Sequence, residues 1–302
     1  MKEMVIVPTF SRSDLLYCCL EAIRRAEPKI PIEVFPDRGT KEIEICTKFN
    51  ATHHLTIQHS YHGNSYNMLE ALKWAASKGA QRVFVIEDDT IVDPSFFSWC
   101  RTALLNHPDA FAACGWRFSP DAVAEDGPDF MVPWYLSVCS CLPAPSLVSI
   151  IAHARPEYYG DMQQYLDSTY PNSPRRGSMH YEQDGLALRV CEAQSQRCVW
   201  PRRPRATHCG WYGYHMDGKP LGGSLEERVR VLKLILENPD ILNVLMAGGA
   251  APETASCETC GKQLLTEDKK FRMICSDCFH HDHPELPVTA SRYYFPSGRP
   301  NS

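Results

Sequence analysis

The segment RVFVIEDDTIVDPSFF, residues 82–97, carries an apolar run straight into three consecutive acids, Glu87, Asp88 and Asp89. Carboxylates at the end of a buried strand are costly unless a cation or a hydrogen-bonding ligand meets them. On an extended strand alternate side chains share a face, which predicts Glu87 and Asp89 on one side and Asp88 on the other. One acid can then hold a divalent ion while its neighbour bonds a hydroxyl. Oxygen donors suit Mg²⁺ or Mn²⁺, ions that keep positions open for substrate phosphates. A bare acid run is also what a solvated strand end looks like, or a helix start at Asp93 and Pro94. The hydrophobic residues before it and Pro-Ser-Phe-Phe after it favour the buried site.

Two further clusters could do chemistry. HYEQDG, residues 180–185, offers Glu182 and Asp184 at the start of a helix, where a carboxylate either takes a proton from a hydroxyl or caps the helix. Near the end, Cys257, Cys260, Cys275 and Cys278 form two CxxC pairs fourteen residues apart. Four thiolates so spaced satisfy tetrahedral Zn²⁺ and leave no open position, so a structural zinc ribbon is expected rather than a catalytic ion. His280, His281 and His283 lie close enough to replace one thiolate. The other ten cysteines are scattered from Cys18 to Cys209, as buried free thiols in a reducing compartment would be.

Elements must position these groups. Residues 4–10 read as a buried strand and 13–26 as a helix capped by Ser11 or Ser13; 30–37 is a second strand and 40–49 a second helix. Residues 64–79 read as a third helix with a glycine stop, running into the strand that ends at the acids. This alternation predicts βαβ units and a mainly parallel sheet, with ligands at the carboxyl ends of the strands. Pro8, Thr9, Asp37 and Glu87–Asp89 should therefore converge. A capping box, Ser224 with Glu227, opens an amphipathic helix over 224–240. Residues 246–256 form a small, nearly uncharged linker.

With 302 residues and a formal charge of −5, the chain has material for a core and no overall basic surface. Any nucleic-acid contact needs a local patch, and Arg197, Arg202, Arg203 and Arg205 around Trp200 are the candidate; they could equally meet a diphosphate or solvent. Residues 131–152 carry no charge, but Pro133, Pro143 and Pro145 argue against a spanning helix and for a buried, loop-rich wall. Trp134 and Tyr135 in that stretch could line an acceptor or fill the core. The short apolar run at the N-terminus does not read as a signal peptide, so a cytoplasmic protein is expected.

VFVIEDDTIVDPSFF resembles the metal-binding segment of GT-A glycosyltransferases, and is most similar to the Golgi N-acetylglucosaminyltransferases that begin N-glycan branching. VIVPTFSRSDLLYCCLEAI resembles their opening strand and helix, EVFPDRGTKEIE their second strand and NMLEALKWA the helix before the acids; the likeness covers roughly residues 4–100 and is partial to 215. The resemblance implies a Rossmann-like GT-A domain over 1–245, followed by the linker and a zinc-ribbon module over 257–302. It implies that Asp89 coordinates Mn²⁺ or Mg²⁺, that Asp88 contacts the ribose and that Glu87 supports the nucleotide. Asp37 would read the uracil, with Pro8, Thr9 and Arg12 lining the nucleotide. An acidic pair in a comparable place implies Asp184 as general base and Glu182 as its reserve. A late histidine implies His208 over the metal and diphosphate, with Trp211, Tyr212 and Tyr214 available for stacking. The implied activity is inverting transfer from a UDP-sugar to a hydroxyl. A chain with a zinc ribbon and an arginine cluster also resembles what a virus would use on hydroxymethylated pyrimidines in DNA. A bacterial glycan or lipid acceptor is the alternative, and a zinc-dependent binding module without catalysis the alternative outside enzymes.

Overall fold

The computed structural model describes residues 1–10, 12–36, 42–54, 63–116, 128–176, 182–213, 216–217 and 221–238, with 242 and 245. Asp37 and the four ribbon cysteines lie outside the described residues. Residues 1–208 form one unit and 209–302 a second.

The first unit begins with β1 (Glu3–Thr9), α1 (Ser13–Ala26), β2 (Ile32–Pro36), α2 (Glu42–Lys48), β3 (Thr52–His53), α3 (Gly63–Ser77) and β4 (Arg82–Ile86). It continues through β5 (Thr90–Val92), α4 (Phe96–Asn106), β6 (Ala112–Cys114), β7 (Phe130–Val132), β8 (Cys139–Pro143) and α5 (Ala144–His153). Short helices α6 (Pro156–Gly160) and α7 (Met162–Thr169) precede α8 (Gln183–Ala193), β9 (Cys198–Trp200) and β10 (Ala206–His208). Eight strands make one sheet in the order β3-β2-β1-β4-β8-β6-β9-β7. β3, β2, β1 and β4 are parallel, β8 runs against both β4 and β6, β9 parallels β6, and β7 runs against β9. This is the mixed α/β, mainly parallel sheet expected of the GT-A class.

Local sequence explains the elements. The inner strands are continuous apolar runs because helices cover both faces of the sheet, so Val5, Ile6, Val7, Val83, Phe84, Val85 and Ile86 are all fully buried. α1 buries Leu15, Leu16, Cys19, Leu20 and Ile23 on one stripe. Arg12, rather than Ser11 or Ser13, stands at its N-cap, without a side-chain capping bond. α3 stops where Gly79 takes φ +71°; Gly79 N–H bonds Ala76 O at 2.8 Å and Ala80 N–H bonds Ala75 O at 3.2 Å, closing the last turn.

The uncharged stretch 131–152 is not a loop-rich wall. It supplies β8, next to β4 in the middle of the sheet, and α5 behind it. Pro143 is the N-cap of α5 and Pro145 sits in its first turn, where no intrahelical N–H is needed. The prolines start this helix instead of breaking it. Among the described residues no helix is long and apolar enough to cross a membrane.

In the second unit β11 (Tyr212–Gly213) pairs antiparallel with β12 (Met216–Asp217), and α9 (Leu225–Leu236) follows. The capping box forms as read: Glu227 N–H donates to Ser224 Oγ at 3.3 Å and Ser224 N–H to Glu227 Oε2 at 2.8 Å. Val229, Leu232 and Ile235 make its buried stripe.

Candidate active site

The three acids do not continue the strand. β4 ends at Ile86, and Thr90 N–H donates to Glu87 O at 3.0 Å, closing a turn over Glu87–Thr90. A turn abolishes the alternation of an extended strand, so the expected division of Glu87 and Asp89 from Asp88 is wrong. Asp88 and Asp89 meet on a common cation and Glu87 goes elsewhere.

The register explains who meets them. β1 and β4 pair in parallel with Ile6 opposite Val85, so three residues on, Thr9 is level with Asp88. Thr9 Oγ1 donates to Asp88 Oδ2 at 2.6 Å, and Phe10 N–H reaches the same oxygen at 3.4 Å. Arg12, at the head of α1, spans both acids. Its Nε donates to Asp88 Oδ2 at 3.3 Å, its Nη2 to Asp88 Oδ1, and its Nη1 to Asp89 Oδ2 at 2.6 Å. β10 pairs antiparallel with β5 so that His208 lies opposite Thr90, which brings its Nε2 to 3.4 Å from Asp89 Oδ2. Glu87 is served by the loop entering β8: because β8 runs against β4, its first residue Cys139 is opposite Ile86. Val138 O there accepts from Glu87 N–H at 3.1 Å, and Ser137 Oγ donates to Glu87 Oε1 at 3.0 Å.

Burial and charge then separate the acids. Asp88 is fully buried and Asp89 4% exposed. Burial pushes Glu87 up to about 7, reinforced by the charge of Asp89 and opposed by His208, Arg12 and Ser137. Burial also raises Asp88, to about 6, against the pull of Arg12. For Asp89 burial acts upward too, but Arg12 and His208 outweigh it and hold the carboxyl well below the usual range. Burial lowers His208, yet Asp89 reverses this and the imidazole is raised.

Among the described residues no three His, Cys, Asp or Glu side chains gather as a metal cage. Mg²⁺ and Mn²⁺ in nucleotide sites are commonly held by one or two side chains plus phosphate oxygens. Asp89 and His208, an oxygen and a nitrogen donor 3.4 Å apart on one face of the turn, fit an ion shared in that way.

The base candidates sit at the head of α8. Glu182 is its N-cap, without a side-chain capping bond, and Asp184 is half-buried with Oδ1 accepting from Gly185 N–H at 2.8 Å. Gln183, between them, is tied to the first turn of α3: Ser65 Oγ donates to Gln183 Oε1 at 2.8 Å and accepts from its N–H at 3.3 Å. The same turn of α3 holds the carboxyl end of β2, where Asn67 Nδ2 donates to Phe35 O at 2.6 Å. In a βαβ unit the helix N-terminus lies at the carboxyl edge of the parallel strands. Glu182 and Asp184 are therefore tethered to the edge that carries the acidic turn.

Other candidates resolve variously. Pro8 is buried in β1, in register with Phe35 and one residue short of the cluster. Tyr135 is a core residue, 3% exposed, with its hydroxyl 3.1 Å from Ser140 Oγ. Trp134 is half-buried under the Arg175 guanidinium, 3.7 Å from its ring centre. Trp211 is buried in the second unit, and Tyr214 lies outside the described residues. In the arginine cluster, Arg205 is locked to the turn after β5, its O accepting from Asp93 N–H at 2.8 Å and its Nη1 donating to Ser95 Oγ at 3.1 Å. Arg202 lies over Phe130, whereas Arg197 and Arg203 are exposed. Sequence reasoning missed Ser137 and Trp116, whose ring lies 5.4 Å from that of His208. Neither carries a local motif; each arrives through strand pairing.

No protein-family model matches the chain, and no curated protein matches it. Among solved structures it is similar to S. aureus TarS, with 12% identity and a TM-score of 0.47 over 82% of this chain and 43% of that one. It is similar to the galactosyltransferase LgtC in complex with donor and acceptor sugar analogs, with 10% identity and a TM-score of 0.46 over 83% and 98% of the two chains. A cytidylyltransferase from Leptospira borgpetersenii gives 10% identity and a TM-score of 0.43 over 80% and 97%. The chain thus spans less than half the length of TarS.

Proposed function

We propose that this chain is a metal-dependent, inverting glycosyltransferase that moves a sugar from a UDP-sugar to a hydroxyl acceptor. The observation that carries the proposal is the convergence of Asp88, Asp89, Thr9, Arg12 and His208 where β1 and β4 end. Asp88 binds the ribose and Glu87 supports the nucleotide. Arg12, Thr9 and Pro8 line it, and Asp37 reads the base. Asp89 and His208 would hold Mn²⁺ or Mg²⁺, which when bound compensates the charge of the departing diphosphate.

Asp184 takes the proton of the acceptor hydroxyl, with Glu182 as the reserve base. The acceptor oxygen forms its bond to the anomeric carbon as the bond from that carbon to the phosphate oxygen breaks. UDP leaves with the bonding pair, and inversion follows from attack opposite the leaving group. Cys257, Cys260, Cys275 and Cys278 bind one structural Zn²⁺ in a separate ribbon.

For the acceptor we propose a hydroxymethylated pyrimidine in DNA. Exposed Arg197 and Arg203 flank Trp200 and suit a phosphate backbone. The base would leave the stack to present its hydroxyl. The test incubates the chain with UDP-sugars, with and without Mn²⁺, on hydroxymethylcytosine and hydroxymethyluracil DNA and on saccharide and lipid acceptors. Mass spectrometry of nucleosides should find a Mn²⁺-dependent gain of one sugar. No gain with any donor ends the DNA assignment; products on saccharides or lipids alone move the activity there. Absence of both UDP binding and Mn²⁺ binding would overturn glycosyl transfer itself.

A further inference from the structure

Arg12 holds the two oxygens that a nucleotide and a metal would want. Three of its nitrogens are committed to Asp88 and Asp89, and its Nη1 shares Asp89 Oδ2 with His208. The Arg12 side chain is 19% exposed and that of Asp88 0%, so of this pair only the arginine reaches solvent. Its backbone is the N-cap of α1, at the boundary of the helix.

Two buried carboxylates this close need a positive partner whenever the site is empty of ligand. A divalent ion bound to Asp89 would add a double positive charge beside the Arg12 guanidinium, whose Nη1 is 2.6 Å from Oδ2, and like charges so close in a buried site repel strongly. That repulsion is relieved when Arg12 withdraws from Asp89. A diphosphate offers it another anionic partner that can accept two of its N–H groups.

We infer that Arg12 is a built-in counter-cation that occupies the ion's ligands in the unliganded protein and is handed to the diphosphate when the nucleotide binds. This rests on the glycosyltransferase reading above and goes beyond it. Mn²⁺ alone then binds weakly, UDP and Mn²⁺ bind cooperatively, and by linkage each tightens the other by the same factor. The arginine thereby keeps the acids from capturing divalent ions without a donor.

The test titrates Mn²⁺ into the full chain by electron paramagnetic resonance and calorimetry, with and without UDP, counting only sites lost in Asp89→Ala. In the wild type UDP should tighten Mn²⁺ binding at least about tenfold. In Arg12→Met, Mn²⁺ alone should bind about tenfold more tightly than in the wild type, and the effect of UDP should shrink. Arg12→Lys, which keeps the charge but not the fork, should lie between them. Equal affinity of wild type and Arg12→Met for Mn²⁺ alone overturns the inference. So does a wild type that binds Mn²⁺ equally with and without UDP, a result that needs no variant to fold. Absence of Mn²⁺ binding even with UDP present overturns the metal-dependent reading as well, and so is told apart from failure of the Arg12 hand-over.

Discussion

Replacing Thr9 by valine removes one hydroxyl and keeps the shape of a β-branched side chain in a strand interior. The hydroxyl is 2.6 Å from Asp88 Oδ2, and both residues are buried, at 3% and 0% exposure, so water cannot replace the bond. A hydrogen bond to a charged group is worth about 1.5–3 kcal/mol. Arg12 still serves Asp88, which favours the lower end, about 1.5–2 kcal/mol. For a unit of 208 residues that amounts to a fall in melting temperature of roughly 3–8 °C. The cost should depend on pH. Asp88 titrates near 6 when folded, above its ordinary 3.8, so the folded state binds more protons and loses stability as pH rises through that window. Without Thr9 the folded value climbs further, and the loss extends to higher pH. Urea unfolding in EDTA at pH 5 and pH 8 should therefore find Thr9→Val more damaging at pH 8. In an Asp88→Asn background the cost should drop to that of a neutral bond, about 1 kcal/mol. A change below about 0.5 kcal/mol at both pH values, or one independent of Asp88, would refute the account of how the two strand ends are joined.

Asp184→Asn keeps an oxygen for Gly185 N–H, so the helix start survives while the proposed base is lost. The turnover number should fall about 10²–10⁴-fold with UDP binding unchanged, and a larger fall in Glu182→Gln would exchange the two roles. Glu87→Gln keeps an acceptor for Ser137 and removes an acid whose folded value, about 7, lies above its ordinary 4.5. That shift destabilises the wild type progressively from about pH 4.5 to about 7, so the variant should gain up to about 3 kcal/mol relative to it between pH 4 and pH 8. A difference in stability that stays constant across that range would show that the burial of Glu87 is not what perturbs it.

The parallel half of the fold was legible because each helix has its stripe and each inner strand its unbroken apolar run. α1 spans 13–26, as its spacing predicts, and Gly79 ends α3 by adopting a backbone conformation that suits no other residue as well. What the sequence does not disclose has determinants that are not local. Residues 131–152 carry hydrophobicity without period, and only the vacancy beside β4 makes part of them a strand. The pattern places the acids at the right strand end but implies an extended geometry there, because the turn closed by Glu87 and Thr90 contains neither glycine nor proline to announce it. The resemblance implies Arg12 as a nucleotide contact; its ion pairs with Asp88 and Asp89 depend on β1 and β4 being neighbours, which a linear pattern does not encode.

The antiparallel insertion of β8 has an electrical consequence. A parallel neighbour would bring its own carboxyl end, and the groups that gather there, to the acidic turn. β8 instead brings its entry loop, and that loop offers Glu87 a neutral hydroxyl and no cation. Asp88 and Asp89 face the other way, toward β1 and β10, and receive a guanidinium and an imidazole. Three adjacent acids are thereby pushed apart: Glu87 is raised toward neutrality, and Asp89 is held ionised even though almost fully buried. Carboxylates with opposed shifts in one site are suited to different tasks. The ionised Asp89 suits a cation, and the near-neutral Glu87 can donate a hydrogen bond to a nucleotide oxygen. The proposed ion therefore falls to Asp89, the acid held ionised, and to the imidazole of His208 beside it, rather than to Glu87.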